Sequence, residues 1–276
     1  MTKWQKLATC AAITIAAASS SVAPASGDTA AHAQPISVHA ISPAAAVNMT
    51  QESTYTPIEP CRIVDTRKAG GPLASRETRS LLAQGEGGFG DQGGRQGGCG
   101  IPFAATAIQA TITAVGATGN GFLKAYPFES HRPTATFMNY THAFNVSGSG
   151  SVQICRSTPD DLTVCPRNFT VSVFGSRTDV VVDVQGYYIP PMWVHQGGDL
   201  NAEVSRVAGL VDDSQGQFTT IFDRDVSQCG YSVAADGSTS TVRAVRPDGI
   251  EPNNVTLETW NKTTAIDSGF SLVVTC

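Results

Sequence analysis

The chain has 276 residues, with 18 Lys and Arg against 23 Asp and Glu, a net charge of −5 and seven cysteines. No basic run is present, which excludes phosphate-backbone recognition of nucleic acid and electrostatic docking on anionic lipid. Six of the cysteines follow residue 34, a usage that suits an oxidising compartment better than the cytosol.

Residues 1–33 read as a cleaved secretory signal peptide. Lys3 and Lys6 start it, Leu7 to Ala18 is its apolar run, and Ala31-His32-Ala33 is its cleavage site. The apolar run is too short to remain as a membrane span. Cys10 lies inside that run and not at its end, which argues against a lipidation box. No second hydrophobic stretch follows, so a secreted, extracellular product without membrane insertion is expected. Removal of the signal leaves 16 basic and 22 acidic residues, a net charge of −6.

Residues 34–53 are rich in Ala, Pro and Ser and read as a flexible leader. A first β-sandwich domain is expected over 54–190. It opens with TPIEPCRIVDTR, whose alternation puts Ile63, Asp65 and Arg67 on one face and Arg62, Val64 and Thr66 on the other. Residues 85–100 are half glycine. Neither a P-loop nor a dinucleotide fingerprint fits there, so they read as a mobile surface loop tethered by Cys99. Strands are expected at Ala107–Val115, Phe122–Tyr126, Thr136–Asn139, Ser151–Cys155, Asn168–Phe174 and Asp179–Tyr188. Gly148-Ser149-Gly150 lacks the frame of a hydrolase nucleophile and reads as a hairpin turn. Pro190-Pro191 ends the domain, and 191–198 is expected to be a linker.

A small β-sandwich domain is expected over 199–276. Its strands are Glu203–Val211, Gln217–Phe222, Gly230–Ala235, Thr241–Val245, Asn254–Trp260 and Phe270–Cys276, with turns at Asp236-Gly237 and Asp248-Gly249. The fold class is therefore all-β, two antiparallel β-sandwich-like domains after a cleaved signal peptide. Spacing suggests local disulfides Cys61–Cys99, Cys155–Cys165 and Cys229–Cys276, among 15 connectivities that six cysteines allow.

The landmarks of 55–190 resemble those of a widespread module of secreted bacterial, often actinobacterial, proteins. Cys61-Arg62-Ile63-Val64-Asp65-Thr66-Arg67 is similar to its opening "LLDTR" strand, and Gly100-Ile101-Pro102 to its "GVP" step. Gly121-Phe122-Leu123-Lys124-Ala125-Tyr126-Pro127 is similar to "GYLTVYP", and Asp179 to Tyr188 to "DVVVDVQGYF". The central "LNVT" is replaced by Ala110-Thr111-Ile112-Thr113, and the cysteines depart from the commoner cysteine-free form. The C-terminal unit is similar to small secreted β-domains that end in "FxLVVxC". The resemblance implies an all-β extracellular module, attached to enzymes or repeated in tandem, and supplies no catalytic residue.

Asp65, Arg67 and Asp183 are the charged candidates for a ligand site. The competing reading makes them a structural clamp, with Arg67 paired to Asp65 or Asp183, because buried charge survives only when neutralised. Trp193, in the linker, and Trp260, with Tyr187 and Tyr188, are candidates for a sugar-stacking platform. His131, His142 and His195 show no ligand spacing, so no metal and no cofactor is expected. Six Asn-x-Ser/Thr triplets occur, one of them at Asn168.

No assembled catalytic pattern is visible. The expected function is a disulfide-stabilised, non-enzymatic protein that engages a cell-surface polymer or glycan. Two alternatives stay open: an extracellular hydrolase whose site forms only in the fold, and a self-associating structural surface component.

Overall fold

The computed structural model describes residues 38–39, 52–156, 165–197, 202–236, 240–247 and 251–276. The segment expected as a signal peptide, most of the expected leader, the interior of the Cys155–Cys165 loop and much of the two expected Asp-Gly turns fall outside the described residues.

The strands in chain order begin with a two-residue piece, β1 (Val38–His39). There follow β2 (Thr54–Asp65), β3 (Thr78–Leu81), β4 (Ala107–Val115), β5 (Gly121–Pro127), β6 (Met138–Tyr140), β7 (Val146–Gln153), β8 (Phe169–Phe174) and β9 (Asp179–Ile189). Beyond Pro190 come β10 (Met192–Gln196), β11 (Ala202–Ser205), β12 (Val207–Ser214), β13 (Gln217–Phe222), β14 (Gly230–Ala235), β15 (Thr241–Pro247), β16 (Asn254–Asn261), β17 (Thr264–Ala265) and β18 (Phe270–Thr275).

The fold is all-β and antiparallel. One sheet runs β2-β9-β4-β7 and a second runs β3-β8-β5-β6. Their inner faces share a core that includes Ile63, Ile108, Ile112, Leu123, Val171 and Val182. A third sheet runs β1-β12-β13-β16-β15, with β17 on β16, and a fourth runs β11-β10-β18-β14. Between them lies a separate core that includes Val194, Phe218, Leu257, Phe270 and Leu272. β9 lies between β2 and β4 in its sheet, and its Val180, Val181, Val182 and Val184 are buried.

The three local disulfides form, with Cα–Cα distances of 5.9 Å for Cys61–Cys99, 5.8 Å for Cys155–Cys165 and 4.4 Å for Cys229–Cys276. Crosslinks of this kind persist in an oxidising compartment.

Several elements differ from the pattern expected of the sequence. The strict alternation of β2 fails because a bulge separates Arg62 from Val64, so Ile63, Val64, Asp65 and Thr66 are all buried. Gly148-Ser149-Gly150 is not a turn but the centre of β7, which pairs with β4 without interruption. Residues 192–196, expected in a linker, form β10, the second strand of its sheet. The single strand expected at 203–211 is two, β11 and β12, in different sheets. The chain turns between them at Arg206, whose φ is +60°.

The glycine-rich segment is not a loose surface loop. Phe89 is 1% exposed within the core. The Gln92 amide donates to the Ile63 and Leu82 carbonyls at 2.8 and 3.0 Å and accepts from the Leu82 N–H at 2.9 Å. Gln92 therefore stands in for a strand between β2 and β3. Gly93 and Gly94 lie so close to the Asp65 and Ile63 carbonyls that any Cβ would overlap them. Glycine is required there for close approach rather than for mobility. Asn168 and Gln84 join the same closure. Asn168 accepts from the Ala83 and Gln84 N–H groups, and Gln84 donates to the Pro102, Phe103 and Ala105 carbonyls. At 2% exposure Asn168 is a core residue and not an accessible glycosylation acceptor.

Phe89→Ala is expected to destabilise the protein by about 3–5 kcal/mol, as for other buried Phe truncations. Chemical denaturation followed by near-UV circular dichroism measures this. A loss below about 0.5 kcal/mol, the range of surface substitutions, would return the segment to the status of a peripheral loop.

Candidate functional site

The charged candidates converge at the junction of β2 and β9. Asp65 has no exposure to solvent. It accepts from the Arg67 guanidinium through both oxygens at 2.8 Å, and from the Arg67 backbone N–H at 3.2 Å. Arg62, opposite Asp183 in the register, donates to Asp183 at 2.8 and 3.0 Å and to Asp65 at 3.3 Å. The hydrogen bonds from Arg67 hold the Asp65 carboxyl below the ordinary aspartate range, and Asp183 raises the Arg62 guanidinium. Arg62, which sequence reasoning passed over, is the residue that ties the two strands together. Asp65 and Arg67 thus form the first of the two pairings foreseen for a clamp.

The outer face of the same sheet is polar and uncovered. Across β9, β4 and β7 the Gln185 amide donates to Thr111 at 2.7 Å, and the Thr111 and Ser149 hydroxyls meet at 2.7 Å. Thr113 and Ser147 repeat the pair at 2.8 Å. Gln185 reaches this row because β9 bulges there, opposite Gln109/Ala110. At the far end Tyr188 donates to Gln109 at 3.2 Å. The Tyr55 ring lies 5.3 Å from that of Tyr188 and rests on Gly186, where any side chain would collide with it. Tyr55 is 41% exposed, and its hydroxyl donates to the Gln185 carbonyl at 3.1 Å. The result is a flat field of hydroxyls and amides that ends in an aromatic shelf.

The opposite outer face, on β3-β8-β5-β6, is different. Residues 128–137 cross it, and Lys124 donates to the Pro133 and Thr134 carbonyls at 2.6 and 3.0 Å. Phe122 and Phe174 stack at 4.9 Å, with the Arg132 guanidinium 5.2 Å from the Phe174 ring. Beneath this segment Thr170 and Ser172 are buried and bond to Ser80, Thr78 and Tyr126. Their hydroxyls are therefore taken up within the protein.

The two tryptophans are not brought together. Trp193 lies on β10 beside Val273 of β18 and Ser205 of β11. Trp260 is the penultimate residue of β16, in another sheet, with its indole N–H donating to Glu258 at 3.1 Å. Tyr187 turns its ring toward the first core, whereas Tyr188 faces outward. His195 meets the Ser271 hydroxyl at 2.8 Å across β10 and β18. Sequence reasoning assigned no site role to Tyr55, Gln109, Thr111 or Ser149. For the last three the one signal was the alternation of polar residues along β4 and β7, and Tyr55 on β2 had none.

A cleft of about 200 Å³ opens beside the glycine-rich segment, lined by Arg79, Asp91, Gln92, Arg167, Thr66 and Ser80 among others. Arg79 is occupied by Glu77 at 2.5 Å and by the Gly71 carbonyl at 2.7 Å, and Ser80 by Thr170 at 3.1 Å. Its lining supplies one carboxylate, Asp91, and no histidine.

Comparisons with protein-family models, with curated proteins and with solved structures return no match.

Because the folded pKa of Asp65 is depressed, its stabilisation is complete above the unfolded value of about 3.9 and drains away as pH falls through the folded value. Asp65→Asn is expected to cost about 2 kcal/mol at pH 7. Loss of a buried partner costs about 3–5 kcal/mol, reduced here because Arg62 and Arg67 keep solvent contact. As pH falls below about 4 the variant should lose less stability than the parent. Urea melts at several pH values test this, and parallel losses would place the acid sensitivity elsewhere.

Proposed function

We propose that the protein is a secreted, non-enzymatic binding protein that holds a glycan chain of a cell surface or extracellular polymer on the outer face of β2-β9-β4-β7. One observation carries the reading: of the two outer faces of the first sheet pair, this one leaves its hydroxyls and amides facing solvent beside an exposed tyrosine shelf. Sugar rings offer apolar C–H faces for stacking and a rim of hydroxyls for hydrogen bonds, and the face supplies a partner for each. Arg62 is neutralised by Asp183 and Asp65 and is taken up within the protein. The resemblance of 55–190 to secreted bacterial modules, which supplies no activity, bears on export alone.

Retention on insoluble polysaccharides, including purified bacterial cell wall, chitin and cellulose, tests it. Tyr55→Ala and Tyr188→Ala should each weaken retention up to about tenfold, the equivalent of one aromatic contact of about 1.4 kcal/mol. Tyr55→Phe should keep most of it. Failure of the unaltered protein to bind any of the polymers would end the proposal.

A further inference from the structure

β7 is an edge strand of unusual character. It pairs with β4 through eight consecutive positions, Val146↔Ala114 to Gln153↔Ala107, without a bulge. Its sequence VSGSGSVQ holds no charge and no proline. Natural sheets guard their edges with charges, prolines, bulges or short strands. The other edge of this sheet is guarded in that way, since β2 carries Pro57, Pro60, Arg62 and two breaks in register. β6 is guarded by its length of three residues.

The backbone of β7 is turned to accept a further strand. Ile154 N–H donates to the Thr106 carbonyl at 3.0 Å, which sets the alternation along the strand. Val146, Gly148, Gly150 and Val152 then direct their N–H and C=O groups to β4, and Ser147, Ser149 and Ser151 direct theirs to the free edge. The short Thr111–Ser149 and Thr113–Ser147 hydroxyl contacts agree, because side chains approach most closely at pairs that do not share backbone hydrogen bonds. Among the described residues no backbone group bonds to that edge outside the pairing with β4.

The sequence of the edge says what would fit there. Val146-Ser147-Gly148-Ser149-Gly150-Ser151-Val152 reads the same in both directions about Ser149. An antiparallel partner of identical sequence would set Ser149 against Ser149, Ser147 against Ser151, Gly148 against Gly150 and Val146 against Val152. Two residues further out, Phe144, which is 69% exposed, comes level with Ile154 of the second copy. A two-fold interface sets residue i against j and j against i, and here, from Val146 to Val152, every such pair joins like residues. We propose that β7 pairs with β7 of a second copy of this chain, about a two-fold axis through Ser149, to form one continuous sheet across the dimer. Both outer faces then lie on the same side, and the polar field doubles in width. The pairing rests on the strand itself and not on the glycan reading.

Sedimentation equilibrium of the purified protein should show a concentration-dependent dimer. Ser149→Lys, which places two ammonium groups at the axis, should weaken it at least tenfold, and an equimolar mixture with Ser149→Glu should restore it. Register is tested by crosslinking. A hydrogen-bonded antiparallel pair has its Cα atoms about 5.5 Å apart, within disulfide reach. Ser149→Cys should form a covalent dimer under mild oxidation. Ser147→Cys should do so at least tenfold more slowly alone, and should recover when mixed with Ser151→Cys. A protein that stays monomeric across the concentration range, or equal crosslinking of Ser147→Cys and Ser149→Cys, would overturn the proposal.

Discussion

Asp65 is a carboxylate with no access to water, and the first sheet pair is arranged around neutralising it. A buried anion without partners would cost several kcal/mol, so the chain supplies Arg67 two residues on and Arg62 three residues back. Arg62 reaches Asp65 while also clasping Asp183 because of the bulge at Ile63. The extra residue lets Arg62 point outward while Ile63, Val64 and Asp65 all turn in. One local irregularity thus joins the first strand of the sheet pair to the last, buries an apolar pair and sets Arg62 and Arg67 on carboxylates. The glycine-rich segment depends on the same spot, since Gly93 and Gly94 pack on the carbonyls of Asp65 and Ile63.

The contrast between the two outer faces follows from where the connections run. Residues 128–137 cross the face of β5 and β8, held by Lys124 and by the Phe122–Phe174 pair. The hydroxyls beneath are buried and satisfied internally, as buried polar groups must be. No such segment of the described residues is hydrogen-bonded across the β4–β7 face, and there the same residue types meet solvent. Serine and threonine ladders occur on both sheets. Only their cover decides which one is available to a ligand.

Much of the architecture was legible in the chain. Alternation marked β4, β8, β9, β13, β14 and β16 to within a residue or two, because period-two patterning reports one buried and one wet face directly. The local cysteine spacing pointed to the three bridges that form. The misread segments share a cause. Gly148-Ser149-Gly150 has the composition of a turn, yet Phe137 and Met138 lie so close under the glycines that larger residues would crowd them, and a strand runs through. Residues 85–100 have the composition of a flexible loop, yet Phe89 and Gln92 lock them into the core. Composition describes what a segment can do alone and is silent about what another segment presses against it.

The amino-acid sequence alone determined the all-β class, the positions of most strands and the local spacing of the crosslinks, because each depends on near neighbours or on the simple alternation of polar and apolar side chains. The tertiary structure alone decided that Arg62 rather than Arg67 spans the strands, that Tyr55 lies on Gly186 beside Tyr188, and that Trp193 and Trp260 stand on separate sheets. Those facts depend on register, bulges and the routes of connections between residues more than 100 positions apart, such as Arg62 and Asp183. No local pattern encodes such distances, since strand pairing is selected by the packing of the whole core.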